Sequence, residues 1–146
     1  MSLSRAIGLC AIFLLSLGFA GPAVAGPSAE VMAAISQYSA EYGVPETLVH
    51  RIVKRESKYN PRAAHRGNFG LMQIKLATAR TMGYRGSAKG LLDVDANLKY
   101  GVKYLAGAYL VAGGNEKKAL RYYVSGYYYV AKRKGLLEET GLKRKR

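Results

Sequence analysis

Residues 52–61 read Ile-Val-Lys-Arg-Glu-Ser-Lys-Tyr-Asn-Pro, and they end an amphipathic segment. Val49, Ile52 and Val53 precede Glu56 by seven, four and three residues. At 3.6 residues per turn these offsets place all four residues on one face of a helix. A carboxylate on the buried side is costly unless it is paired or protonated. Two interpretations follow: a helix-end glutamate that pairs with a nearby cation, or a catalytic acid.

Outward from this helix, the sequence predicts an all-α fold of about five helices. Sustained alternation of period two is missing, and no Asn-Gly or Asp-Gly pair marks a hairpin. The segment 62–69 is polar and contains glycine, so it reads as a loop. Capping residues mark where the predicted helices begin, and proline or glycine marks where some of them end. The predicted helices are 28–42 with Ser28 as cap, 45–60 before Pro61, 74–82 before Gly83, 93–112 with Asp93 or Asp95 as cap, and 115–129 with Asn115 as cap.

The N-terminal residues have the composition of an export signal. Arg5 supplies a positive charge, residues 7–19 are apolar, and Ala23-Val24-Ala25 offers a small-x-small cleavage site. An uncleaved anchor is the alternative. We therefore expect an exported protein of the periplasm or cell envelope, or one released from the cell, with a signal peptide at 1–25, one domain at 26–132 and a basic tail at 133–146.

The charge of the chain favours anionic partners. There are 23 Lys and Arg against 9 Asp and Glu, a formal net charge of +14. Such a surface is attracted to cell-wall carboxylates and to lipid phosphates of the envelope. No zinc-finger, RNA-binding or helix-turn-helix signature is present, so we expect no nucleic-acid partner.

Few residues suit a metal or a cofactor. Cys10 is the only cysteine and falls in the leader, so the mature chain has no thiol. His50 and His65 are too few for a His-rich site. We expect no metal, no organic cofactor and, because no later apolar run is long enough, no transmembrane segment after signal cleavage.

Four motifs occur in a fixed order along the chain. They are Glu56-Ser57-x-Tyr59-Asn60-Pro61, Gly70-Leu71-Met72-Gln73-Ile74, Asn97-x-x-x-Gly101-x-x-Tyr104-Leu105 and Ala119-Leu120-x-x-Tyr123. Over about residues 44–132 this set resembles the soluble lytic transglycosylase domain, a lysozyme-like family. The resemblance implies a small α-helical domain with a cleft for a glycan strand. It also implies cleavage of peptidoglycan between N-acetylmuramic acid and N-acetylglucosamine, with a 1,6-anhydro end on the product.

By this resemblance Glu56 is the catalytic acid and then the base. A glycosidic oxygen is a poor leaving group and needs a proton as the bond breaks. Hydrolases add a second carboxylate, which activates water or attacks the sugar. If the sugar's own 6-hydroxyl is the nucleophile, one carboxyl group suffices. The other acids of the chain read as helix-surface or capping residues, and none lies in a motif for a second carboxylate.

The same resemblance implies further site residues. It sets the Ser57 hydroxyl near the acid, lines the cleft with Met72 and Gln73, and brings Tyr123 close to Glu56. A Ser57 hydroxyl bonded to the last helical carbonyls is the alternative for the serine. A plain core tyrosine is the alternative for Tyr123.

The chain departs from the family pattern at two places that matter below. Val124 stands where the family usually has Asn, so it lacks an amide for the sugar. Lys75-Leu76 stands where Met-Pro is usual. Two other functions therefore stay open on the sequence: a lysozyme-type hydrolase of peptidoglycan, and a non-catalytic cationic protein that binds the cell wall. In each case we expect a monomer.

Overall fold

A computed structural model describes residues 26–143, so the predicted leader and the last three residues lie outside the described part. The fold is mainly helical, as predicted, but it also contains a small antiparallel sheet that was not predicted. The elements are α1 Ala29–Tyr42, α2 Glu46–Ser57, β1 Ala64–His65, β2 Asn68–Phe69, β3 Ile74–Lys75, α3 Leu76–Thr81, a 3₁₀ helix Lys89–Leu92, α4 Val94–Val111, α5 Glu116–Ser125 and α6 Tyr128–Arg133.

Helix α1 begins and ends where its capping residues predict. The Ser28 side chain accepts a hydrogen bond from the Val31 amide at 3.3 Å, which satisfies one of the free N–H groups of the first turn. Gly43 ends the helix in the left-handed conformation, with φ 63°. The buried residues Val31 and Ile35 face the core.

Helix α4 is the longest helix and packs against α1, α3 and α5. Asp93, and not Asp95, is its N-cap, because the Asp93 carboxylate accepts a hydrogen bond from the Ala96 amide at 2.9 Å. Leu98, Val102 and Leu105 form the predicted apolar stripe, and all three are fully buried. This stripe is the centre of the hydrophobic core.

The sheet occupies residues that read as a loop and as the start of a helix. Its first hairpin turns at Arg66 and Gly67, which have φ values of 48° and 76°. Positive φ at both central residues is what a type I′ hairpin turn requires, and Asn-Gly or Asp-Gly is its usual pair. Arg-Gly is not such a pair, so the turn was missed. β3 takes Ile74 and Lys75, so α3 begins at Leu76 and the predicted start at Ile74 was wrong.

The C-terminal third also differs from the prediction. The predicted fifth helix is interrupted at Gly126, which has φ 82° and ψ 153°. This backbone conformation is nearly restricted to glycine and ends α5 before the aromatic run. The packed domain continues past Lys132, where the sequence places its end, since Thr140 and Leu142 are buried.

Candidate active site

Glu56 lies in the last turn of α2, at the edge of a cleft. Val49, Ile52 and Val53 on the same face are fully buried, so the apolar stripe leads directly to the carboxylate. The side chain of Glu56 keeps 23% of its surface exposed. The helix ends just behind it, because Lys58 adopts a left-handed conformation with φ 52°.

Two opposing influences act on the Glu56 carboxyl group. Burial raises its pKa above the ordinary value of 4.5, because a desolvated carboxylate is less stable than the neutral acid. The Arg55 guanidinium, whose Nε lies 3.5 Å from Oε1 of Glu56, opposes this increase, and burial is the larger influence. A carboxyl group whose pKa is raised is suited to donate a proton near neutral pH.

The Gly70–Gln73 turn is fixed from behind by Asn97. Asn97 is 1% exposed, and both polar atoms of its side-chain amide form hydrogen bonds. Its Oδ1 accepts from the Met72 amide at 2.8 Å, and its Nδ2 donates to the carbonyls of Phe69 at 2.8 Å and Leu91 at 2.7 Å. A Cβ at Gly70 would lie 2.3 Å from Asn97 Nδ2. Asn97 therefore has a positioning role, and Gly70 is the residue that lets it come so close.

Met72 and Gln73 lie beside the cleft, but they do not both line it. The Met72 side chain has no exposed surface and lies in the space left by Gly101, where a Cβ would be 2.5 Å from Sδ. Met72, which the sequence places in the cleft lining, is therefore not among the residues that line the cleft. Gln73 does line the cleft, with its Nε2 donating to the carbonyls of Ala63 and Gly70 at 3.0 and 2.9 Å.

Tyr123 on α5 lines the cleft and packs against the Gly70–Gln73 turn. Its hydroxyl donates to the Met72 carbonyl at 2.8 Å, so the tyrosine connects α5 to the turn. Burial raises the pKa of Tyr123 well above its usual range, and the negative charge of Glu56 raises it further. The Tyr104 ring packs edge-on against Tyr123, with 5.5 Å between centroids. The structure thus brings Tyr123 and Glu56 into one cleft.

The Ser57 hydroxyl points back into its own helix. It donates to the Val53 carbonyl at 3.1 Å, which is the alternative that the sequence left open. Ser57 is not among the residues that line the cleft with Glu56.

The cleft has a volume of about 640 Å³. Sequence reasoning did not assign most of its lining, because four of the residues below lie on strands too short to give a periodic signal. The lining residues besides Glu56, Gln73 and Tyr123 are His65, Asn68, Ile74, Lys75, Thr78, Tyr104, Val124, Ser125 and Gly126.

Glu56 is the sole carboxylate among these lining residues. All nine acids of the chain fall within residues 26–143, so the comparison covers every one of them. Within that range no three His, Cys, Asp or Glu side chains come together as a metal site would need. No helix in the described part is long and apolar enough to cross a membrane.

The geometry and the sequence agree with one protein family. The profile of the family described as "Transglycosylase SLT domain" matches residues 33–142, which is most of the chain and includes every site residue named above. Domains of this family are transglycosylases that act on peptidoglycan. The chain therefore belongs to the SLT transglycosylase domain family.

Proposed function

We propose that the protein is a lytic transglycosylase that cleaves between N-acetylmuramic acid and N-acetylglucosamine and leaves a 1,6-anhydro end. One observation supports this reaction most directly: Glu56 is alone among the cleft-lining residues in carrying a carboxylate. Most glycoside hydrolases use a second carboxylate to activate water or to form a covalent intermediate. An intramolecular attack by the 6-hydroxyl needs one acid/base only.

In the first step, the protonated Glu56 gives its proton to the glycosidic oxygen as that bond breaks. The raised pKa of the carboxyl group supports this role, because it keeps more of the acid protonated near neutral pH. In the second step, the resulting carboxylate takes the proton of the sugar's 6-hydroxyl. At the same time the oxygen of that 6-hydroxyl bonds to the anomeric carbon. The carboxyl group thus ends the cycle protonated, and no water is consumed.

Tyr123, Gln73 and Ser57 have different roles in this proposal. Tyr123 is a positioning residue, because its hydroxyl is already used by the Met72 carbonyl. Gln73 Nε2 is also engaged by protein carbonyls, so its Oε1 is the atom left to accept from a sugar hydroxyl or N-acetyl group. The Ser57 hydroxyl bonds its own helix and the Met72 side chain is buried, so we propose no direct substrate contact for either.

Mass spectrometry of the products tests the proposal. The purified protein is incubated with peptidoglycan sacculi, and the soluble muropeptides are weighed. We expect anhydro ends, which are one water lighter than hydrolysed ends. Products with hydrolysed ends would indicate a lysozyme-type hydrolase, and release of no muropeptides, with binding retained, would indicate a non-catalytic wall-binding protein.

Glu56→Gln is the decisive variant, and Glu139→Gln is its matched control. Glu139 is exposed and does not line the cleft. Loss of a positioned acid/base costs about 10²- to 10⁴-fold in rate, so Glu56→Gln should leave almost no turnover, while Glu139→Gln keeps the wild-type rate. Full activity in Glu56→Gln would remove the central claim. Action on the cell wall supports the expected location outside the cytoplasm.

A further inference from the structure

The sheet presents a row of three polar side chains to the cleft. In an antiparallel sheet, residues directly opposite each other point to the same face. His65 on β1 pairs with Asn68 on β2, and Asn68 pairs with Lys75 on β3. All three side chains line the cleft with Glu56. At about 4.8 Å between neighbouring strands, the row is about 10 Å long.

The other face of the sheet is apolar. Phe69 pairs with Ile74 across β2 and β3, and both pack in a small core with Leu91. Ile74 is 2% exposed and also borders the cleft. This packing fixes which face of the sheet is buried. A slip of one residue would exchange the two rows, so the register holds the polar row toward the cleft.

The two basic members of the row lack protein partners. Lys75 and His65 are exposed, and among residues 26–143 their side chains make no hydrogen bond or ion pair. Asn68 is held differently, since its Nδ2 donates to the His65 carbonyl at 3.0 Å. A free ammonium at one end of the row and free imidazole nitrogens at the other, on the wall of a binding cleft, are suited to anionic ligand groups.

We propose that the row His65–Asn68–Lys75 binds the carboxylate groups carried by the muramic acid substituent of the glycan. This inference rests on the proposed function for the identity of the polymer. Two carboxylate sources exist on such strands: the lactyl group itself in peptide-free strands, and the acidic residues of the attached peptide. Lys75 is then a specificity-determining residue, and it stands at a position where the resembled family usually has an uncharged methionine.

Binding measured in a Glu56→Gln background tests the row without turnover. Lys75→Met removes the charge and leaves an unbranched side chain that is one heavy atom shorter. Its matched control is Lys99→Met, because Lys99 is exposed on α4 and does not line the cleft. The three ligands are peptide-bearing strands, peptide-free strands with a lactyl carboxylate, and uncharged chitin oligomers.

We expect Lys75→Met to weaken binding of the carboxylate-bearing ligands about tenfold, the scale of a hydrogen bond to a charged group. Chitin binding should not change, and Lys99→Met should change none of the three. Because the lactyl carboxyl forms an amide in peptide-bearing strands, loss on peptide-free strands alone assigns the lactyl carboxylate, and loss on peptide-bearing strands alone assigns the peptide. Loss on both strand types means that the row binds either carboxylate. Rescue by Lys75→Arg supports the charge as the cause.

Some results would overturn the inference. An equal loss of affinity for chitin would mean that Lys75 contributes to the shape of the cleft and does not recognise charge. An unchanged affinity for all ligands would mean that Lys75 makes no contact with them. Failure of the proposed function is recognised separately, from the mass of wild-type products. The thermal midpoint of each variant, measured beside its affinity, shows whether the fold is retained.

Discussion

The two walls of the cleft are built differently. The helical wall, with Tyr123 and the turn behind it, is held by buried hydrogen bonds to Met72 and Asn97. The sheet wall, with His65 and Lys75, is exposed and has free polar groups. Buried polar networks in which every member is satisfied are rigid, and exposed side chains are replaced at little cost in stability.

This difference separates positioning from recognition. A displacement of about 1 Å at a reacting group can cost 10²-fold in rate, so the acid needs a rigid neighbour. Glu56 has one in the Met72–Tyr123 connection. The sheet wall can change its charge without disturbing that connection. We therefore expect substitutions on the helical wall to affect folding and rate together, and those on the sheet wall to affect the choice of ligand.

Among the substitutions on the two walls, Gly70→Ala should have the largest effect on stability and activity. The new Cβ would lie 2.3 Å from Asn97 Nδ2 and 2.5 Å from the Leu91 carbonyl oxygen, and φ at Gly70 is 68°. Strain and loss of the amide contacts should cost about 3 kcal/mol of unfolding free energy and most of the activity. Chemical denaturation and muropeptide release measure the two losses.

Gly67→Ala is the control for that prediction. Gly67 also has positive φ, 76°, but a Cβ there would meet nothing within 4 Å. Only the backbone strain remains, about 1 kcal/mol. Equal destabilisation by Gly67→Ala and Gly70→Ala would mean that the contact with Asn97 does not hold the helical wall.

Tyr123→Phe should have the next largest effect on stability and rate. The variant keeps the ring but removes the hydroxyl that bonds the Met72 carbonyl, so a buried acceptor loses its partner. We expect a loss of about 1–2 kcal/mol in unfolding free energy and a fall in kcat larger than any change in KM. Tyr122→Phe is the control, because the Tyr122 hydroxyl makes no hydrogen bond within residues 26–143. A stable, fully active Tyr123→Phe protein would show that this bond positions nothing.

Much of the helical wall could be predicted from the sequence, because its residues obey strong local rules. The stripe that ends at Glu56 follows the helical period, and the caps Ser28 and Asp93 lie where helices begin. Motif order placed Tyr123 and the Gly70–Gln73 turn in one cleft. These signals depend on residue type and spacing, so they can be recognised without knowledge of the packing.

The sheet wall and the direction of side chains could not be predicted in the same way. Two-residue strands are too short for alternation to appear, and an Arg66-Gly67 turn does not have the usual composition. Met72 belongs to the motif, yet its side chain points away from the cleft because Gly101 on a distant helix leaves room for it. Such placement depends on contacts between segments that are far apart in sequence.

The smallest expected effect is the change in the pH dependence of stability on substitution of Glu56. This effect reports directly on the pKa of the proposed acid. The pKa of Glu56 is raised in the folded state, so the folded protein binds more protons than the unfolded chain at pH values above about 4.5. Stability is therefore lost as pH rises from that value through the folded pKa. Gln is neutral throughout, so Glu56→Gln should match the wild type below pH 4 and melt at a higher temperature at pH 7.

Glu138→Gln supplies a control of opposite sign. The hydrogen bond from Lys143 lowers the pKa of Glu138, so the folded state gains from its charge above pH 4.5 and loses that gain as pH falls. Glu138→Gln should thus melt slightly lower than the wild type at pH 7, with the difference vanishing in acid. If Glu56→Gln behaved like Glu138→Gln, Arg55 would outweigh burial at the acid. Glu56 would then be a paired surface glutamate, and the rigid wall would have no acid to position.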